Sequence, residues 1–362
     1  MRRAGWGAIA VAAVVAAAGA RAQQPLPAIA DRSLVPYADT KDAVRLPDGR
    51  QLFMLCMGQG SPTVILTAGA GDWSVTWSRV QPEVARTTRV CAWDRPGFGF
   101  SDPPARPQTV DETTSDLQAA LRAGGVAGPY MLVGHSLGGY ESLLLADREP
   151  RQVAGMVLVD PAFPDQLTAL SKAAPAQASY MLSLPNPLTE LFSKCAAGFK
   201  AGTLTREGPD PDGCLHPPWP GNYPPELAAA LNHRVAGASK EQLLAAWDTM
   251  MFFGSPQLLE KDSTVVVNPK RNYGAMPLIV LTRTEFQPPP DYPAAARAEI
   301  PAEEAAWNQG HDELAALSRR GVNARVPGTG HYIHGAKPRV VIDAIEQVVR
   351  EARESEGNGN AR

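Results

Sequence analysis

Residues 130–141 read YMLVGHSLGGYE, and no other stretch constrains the fold of this chain as much. An apolar, strand-like run from Tyr130 to Val133 stops at Gly134. His135, Ser136 and two more glycines follow, and YESLLLADRE then reads as a helix. Glycine adopts backbone angles and permits close approaches that other residues cannot. A Gly-x-Ser-x-Gly run between a strand and a helix is a nucleophile elbow, a strained turn that leaves the serine oxygen exposed. A glycine-rich turn carrying a surface serine has the same local sequence. The rest of the chain must therefore supply a base, an acid and an oxyanion site.

The elements around this junction alternate. AVRLPDGRQLFMLCMG is two strand-like runs about Asp48-Gly49, a hairpin signal. PTVILTAGAGD is a buried strand entering a glycine loop, WSVTWSRVQPEVARTT a helix, and RVCAWDRPGFGFSD another strand and glycine loop. VDETTSDLQAALRAGG has helical apolar spacing and ends at Gly124-Gly125. QVAGMVLVDPAFPD is the strand after the elbow helix. The rhythm then breaks: LPNPLTELF and PDPDGCLHPPWPGNYPPE precede two helical runs, LAAALNHRVAG and KEQLLAAWDTMMFF. It resumes with MPLIVLTRTE as a strand, EEAAWNQGHDELAALSRR as a helix, GVNARVPGTGH as a strand and loop, and PRVVIDAIEQVVREA as a closing helix. Such alternation predicts an α/β fold, a mostly parallel sheet covered by helices on both faces. The expected division is a core over 42–164, an inserted, mainly helical cap over 165–271, a second core part over 272–353 and a disordered tail over 354–362.

A chain of 362 residues, 44% of them apolar, can build one large core with an insertion, or two domains. The net charge of −3 and the absence of a long basic run argue against nucleic-acid binding. The first residues, MRRAGWGAIAVAAVVAAAGARAQQ, have the layout of a signal peptide over 1–22. Arg2 and Arg3 form the positive end, Gly7 to Ala18 the apolar stretch, and Ala20-Arg21-Ala22 a small-x-small site cut after Ala22. The apolar stretch is shorter than the ~20 residues a membrane span needs, although an uncleaved anchor is the alternative. No other segment could span a membrane, so the expected location is periplasmic or secreted; the oligomeric state is unknown. In an oxidising compartment the four cysteines become candidates for two disulfides. Cys56 and Cys91 lie in strand-like runs, and Cys195 and Cys214 in the loop-rich middle, which favours Cys56–Cys91 and Cys195–Cys214. Buried free thiols are the alternative. No Cys-x-x-Cys pair supports a metal site.

GHSLGG after one strand, DRPGFGFSD after the preceding strand and GTGHYIHGAKP near the end together resemble the α/β-hydrolase family, over residue 42 to about 352 with the cap as the variable part. The resemblance implies a sheet of about eight strands, the second antiparallel to the rest and beside the fourth. That neighbourhood also supports the Cys56–Cys91 pairing. The order of serine before histidine matches the family.

The resemblance implies Ser136 as nucleophile, activated by a base that removes its proton. His331 follows PGTG on the loop after the last strand and matches the family's Gly-His, which makes it the base. His334 is then a structural or rim residue, and His135 a packed neighbour of the elbow. Surface or packing roles suffice for His216, His233 and His311. The acid has two candidate places. Asp160 in LVDPAFPD ends the sixth strand, as in pancreatic-type lipases, and is favoured; Glu285 in LIVLTRTEFQ follows the seventh strand, the commoner position. Asp165 and Asp291 are weaker candidates. The oxyanion donors by position are the Leu137 N–H and the Ala70 N–H, in Ala68-Gly69-Ala70-Gly71, where most relatives have His-Gly. Asp94, Arg95 and Gly97 read as structural. Trp247, Met250, Met251, Phe252 and Phe253 form an apolar cluster on a cap helix, either core or the lining of an acyl pocket. The implied activity is hydrolysis of a small carboxylic ester through an acyl-enzyme, with no cofactor or metal required. Amides, thioesters or C–C bonds would use the same residues, and a non-catalytic binding protein on this fold is the alternative of a different class. Relatives that open epoxides or remove halides carry an aspartate at the elbow, and Ser136 argues against both.

Overall fold

The computed structural model describes residues 30–183, 187–253, 255–288 and 292–359. The 1–22 segment read as a signal peptide lies outside them, as does Asp291. Eight strands form one sheet: β1 Ala43–Arg45, β2 Gln51–Met57, β3 Thr63–Thr67, β4 Val90–Trp93, β5 Tyr130–His135, β6 Val153–Val159, β7 Leu278–Arg283 and β8 Gly321–Val326. Their order across the sheet is β1-β2-β4-β3-β5-β6-β7-β8. Only β2 runs against its neighbours β1 and β4; β3 to β8 and β4 pair in parallel. The β1–β2 hairpin turns at Gly49, whose φ of 94° is the left-handed geometry that favours glycine. The central strands are buried on both faces, as parallel strands between two helical layers must be.

Two apolar clusters fill the two faces. One joins Ile65, Leu132 and Leu158 to Trp307 and Leu314 of the helix Ile300–Ala316. The other joins Val64, Val133 and Val157 to Val341, Ile345 and Val348 of the closing helix Pro338–Gly359. Cys56 and Cys91 face one another across β2 and β4, and the structure joins them in a disulfide with Cα atoms 4.0 Å apart. A second disulfide joins Cys195 and Cys214, with Cα atoms 5.6 Å apart.

Between β6 and β7 the described residues form helices joined by loops and contain no strand. The two helices expected there are Pro225–Gly237 and Lys240–Phe253. Gln166–Ala173, Pro175–Ser183 and Pro187–Ala201 are also helical, and the last of these takes in most of the LPNPLTELF stretch. Pro175 and Pro187 each stand first in their helix, where the missing N–H costs nothing. Cys195 sits on the last of these helices, and Cys214 in the loop stretch that follows it. The WSVTWSRVQPEVARTT segment is not one helix. It forms a short 3-10 turn, Ser74–Trp77, and a single turn, Gln81–Val84, because Pro82 has no N–H to continue a helix from the first. The closing helix runs through Gly359, into the stretch read as a tail; propagating a formed helix costs far less than starting one.

Candidate active site

The elbow is built by exclusion of side chains. A Cβ on Gly134 would lie 2.3 Å from the Gly138 carbonyl oxygen, and one on Gly138 would lie 2.5 Å from that of Thr67. Ser136 between them has φ 52°, a left-handed conformation that costs a non-glycine residue roughly 1–2 kcal/mol. Backbone bonds hold it there. Its N–H donates to Val159 at 3.2 Å, and its carbonyl accepts from Gly139 and Ala162 at 2.9 Å. In the run 130–146, otherwise buried, Ser136 alone is partly exposed.

Asp160 ends β6 with no exposure and φ 42°. Its Oδ2 is 2.6 Å from His331 Nδ1. Its Oδ1 accepts the Arg283 backbone N–H and the Trp307 indole N–H, both at 3.0 Å. Burial pushes this carboxyl upward. The hydrogen bond and charge of His331, then the charges of Arg283 and His311, more than offset it and hold the carboxyl near 2. Glu285 lies elsewhere: it is exposed, its carboxylate accepts from Gln287 at 3.4 Å, and its backbone N–H donates to Thr329. Of the two acid candidates, only Asp160 meets His331.

His331 follows β8. Its Nε2 is buried and has no hydrogen-bond partner among the described residues. His135, 1% exposed, has Nε2 3.1 Å from the His331 carbonyl oxygen. A carbonyl only accepts, so that nitrogen must carry the proton, and His135 braces the backbone of His331. Burial, then the neighbouring His334 and His331, hold His135 well below the usual histidine range. His334 is not on a rim. It is 1% exposed, lies 2.8 Å from Thr76 Oγ1, and is pushed down to about 3 by burial. His311 is buried too, with Nδ1 2.7 Å from Thr282 Oγ1 and Nε2 donating to the Pro161 carbonyl at 2.8 Å.

Gly69 abuts the elbow: a Cβ there would lie 2.8 Å from His135 Nδ1 and 3.3 Å from Ser136 Cβ. The loop carrying Ala70 thus passes directly beside Ser136. Among the described residues neither the Ala70 nor the Leu137 N–H donates to a backbone carbonyl. Arg95, read from the sequence as structural, fixes this loop. Its guanidinium donates to the carbonyls of Gly69 at 2.8 Å and Ala68 at 2.7 Å. It also forms a bidentate pair with Glu141 of the elbow helix, with both side chains buried. One cation therefore ties the loop to the elbow helix.

Met250 and Phe252 of the cap helix Lys240–Phe253 pack on a cluster containing Ala70, Leu137 and Phe98. Trp247 instead packs with the Cys195–Cys214 disulfide inside the cap. Among the described residues no cluster of three or more histidine, cysteine or carboxylate side chains could hold a metal ion, and no helix is long and apolar enough to cross a membrane. Trp307, Arg283 and Glu141 were not singled out from the sequence. The spacing of Glu303, Glu304, Trp307 and His311 along one helical face was the available signal.

The family model described as "alpha/beta hydrolase fold" matches residues 62–282. Lipase LipV of Mycobacterium tuberculosis is 39% identical over 109 residues, 29% of this chain and 40% of that protein. The 2-hydroxymuconate semialdehyde hydrolase of Pseudomonas sp. (strain CF600) is 34% identical over 105 residues, 28% of this chain and 37% of its own. The uncharacterized protein YqjL of Bacillus subtilis is 32% identical over 108 residues, 30% of this chain and 43% of its own. The chain thus spans less than half the length of these curated relatives. Among solved structures, a meta-cleavage product hydrolase from Pseudomonas fluorescens IP01 aligns with TM-score 0.50 and 16% identity, covering 86% of this chain and 97% of that one. An epoxide hydrolase, CorEH, aligns with TM-score 0.51 and 16% identity, covering 84% and 96%.

Proposed function

The chain belongs to the alpha/beta hydrolase fold family, and from that premise we propose that it is an exported serine hydrolase that cleaves carboxylic esters through an acyl-enzyme on Ser136. The observation that carries the reading is the short Asp160–His331 contact, with the opposite ring nitrogen of His331 buried and unpartnered among the described residues, on the sheet edge that also holds the Ser136 elbow. Asp160 fixes the tautomer with the proton on Nδ1, which leaves Nε2 to take the Ser136 proton. The serine oxygen attacks the ester carbonyl. His331 then returns the proton to the leaving alcohol, and water cleaves the acyl-enzyme by the same steps in reverse. The Leu137 and Ala70 N–H groups are the proposed donors to the developing oxyanion, where one such donor contributes about 3 kcal/mol. Ser136 at the elbow favours this chemistry over epoxide opening. The two disulfides support an exported protein.

A fluorophosphonate probe should label the wild-type protein on Ser136 and leave Ser136→Ala unlabelled. Hydrolysis of p-nitrophenyl butyrate should fall by at least about a thousandfold in Ser136→Ala and in His331→Ala, with the fold intact by circular dichroism. An unlabelled wild type, or near-normal turnover in either variant, would sink the reading in favour of a binding protein on this fold. Labelling without ester turnover would move the proposal to amide, thioester or C–C bond cleavage by the same residues.

A further inference from the structure

We propose that Trp307 is a positioning residue for the acid–base pair: its indole N–H, with the Arg283 backbone N–H, holds Asp160 Oδ1 so that Oδ2 is presented to His331. The inference rests on the reading of Asp160 and His331 as acid and base. Trp307 is 2% exposed. A buried indole N–H ordinarily finds some acceptor, and a backbone carbonyl would serve. Here the acceptor is the carboxylate whose other oxygen contacts His331. Two donors on Oδ1 leave the carboxylate one orientation about its terminal torsion, a torsion that is otherwise soft.

The surroundings hold the indole in that pose. The Arg283 guanidinium lies 4.4 Å from the Trp307 ring centroid and 3.6 Å from Asp160 Oδ2. Glu304 at 2.6 Å and Glu303 at 3.5 Å hold the guanidinium, one helical turn before Trp307. One turn after it, His311 donates to the carbonyl of Pro161, which follows Asp160. Glu303, Glu304, Trp307 and His311 thus share the face that the helix Ile300–Ala316 turns toward the end of β6. Gly310 lets the helix come close, because a Cβ there would lie 2.6 Å from the Phe163 ring. The face is a built support that meets the acid–base pair at Asp160, through the indole N–H, and at His331, through an edge contact of the Trp307 ring with centroids 6.3 Å apart.

Trp307→Phe keeps a ring for Arg283 to cover and removes the N–H. Benzothienylalanine at 307, with sulfur in place of N–H, keeps the indole shape if the phenylalanine variant folds poorly. With p-nitrophenyl butyrate, kcat should fall between about ten- and hundredfold, the loss expected for one hydrogen bond to a charged group, with KM within about twofold. The acidic limb of the kcat/KM profile should move to higher pH, because a carboxylate with one donor fewer stabilises the imidazolium more strongly. The other groups facing the pair, Arg283, Glu303, Glu304 and His311 around Asp160, and His135 and His334 around His331, are unchanged in both variants. The downfield proton resonance of the His331–Asp160 hydrogen bond, identified by its loss in His331→Ala, should shift or broaden. If kcat and stability fall while the profile and the resonance stay as in wild type, Trp307 is only a packing residue and the proposal is overturned. Wild-type kcat, profile and resonance in both variants overturn it equally. Failure of the underlying reading is seen separately, as an unlabelled Ser136 in the wild-type protein.

Discussion

Three non-glycine residues among those described hold a left-handed backbone, Ser136, Asp160 and Asp165, and two of them are the proposed nucleophile and acid. Such strain persists only where the surroundings over-determine it. At Ser136 the glycines announced it in the sequence. At Asp160 nothing did: the strain is imposed by β7, whose Leu281 carbonyl accepts the Asp160 N–H at 2.7 Å, and by the bonds to its carboxylate. The sequence favoured Asp160 over Glu285 only by resemblance, since residue type does not separate two carboxylates that follow neighbouring strands at the same sheet edge. Packing separates them, with one fully buried against His331 and the other exposed. Asp160→Asn should keep the geometry and hold the wrong imidazole tautomer, lowering ester turnover by up to roughly four orders of magnitude. Glu285→Gln should cost less than about threefold, as expected for a solvated carboxylate with no site partner. The kcat of the two purified variants decides the matter, and the reverse ranking would return the acid to the loop after β7.

At the level of elements, the strands and core helices were legible because each presents one unbroken period to one environment. Six buried positions in β5 and the amphipathic face of the closing helix are examples. The cap was less legible because four of its helices, Pro175–Ser183, Pro187–Ala201, Pro225–Gly237 and Pro256–Val265, begin at prolines, and because the apolar residues of its helices face several neighbours at once. Helix Lys240–Phe253 shows this division: Trp247 packs inward on the Cys195–Cys214 disulfide, while Met250 and Phe252 reach the loop and elbow below. Trp247 is thus core of the cap, and Met250 and Phe252 are the residues of this helix at which a pocket reading can be tested. If Phe252 closes the acyl side of the site, Phe252→Ala should open room for about two further methylenes. At about 0.8 kcal/mol each, the ratio of kcat/KM for p-nitrophenyl octanoate over butyrate should rise roughly tenfold. An unchanged ratio would mean that the helix packs on the core without bounding the substrate.

Over the whole molecule, buried titratable groups act on stability in opposite directions. His311 and His334 are held at about 4 and about 3 by burial, so the unfolded chain binds protons that the folded one does not, and stability falls as pH drops below about 6.5. Asp262, from the helix Pro256–Val265, is the opposite case. It is 1% exposed, accepts the Val110 N–H at 2.9 Å, and is raised to about 7 by burial in spite of that bond. There the folded state holds a proton that the unfolded state releases above about 4, so its effect on stability becomes unfavourable as pH rises from about 4 to about 7. Asp262→Asn keeps an acceptor for Val110 and cannot ionise. Its stability relative to wild type, read as the difference in urea midpoints, should increase from pH 5 to pH 8. A difference that is flat with pH, or that shrinks, would show that Asp262 is ionised in the folded state throughout.

What the sequence determined by itself was everything encoded in local chemistry. Glycines at residues 134, 138 and 139 permit a sharp strand-to-helix turn, alternating periods point to a layered α/β sheet, and the glycines before His331 let that loop return toward the sheet's edge. The tertiary structure alone decided relations between residues far apart in the chain. It brought Asp160 to His331, Arg95 to Glu141 and the Ala68–Gly69 carbonyls, and Trp307 to the far oxygen of the Asp160 carboxylate. The physical reason is that backbone period and turn geometry depend on neighbours within a few residues. A buried carboxylate or guanidinium keeps its charge only where packing delivers several specific partners at once, and no short stretch of chain contains all of those partners.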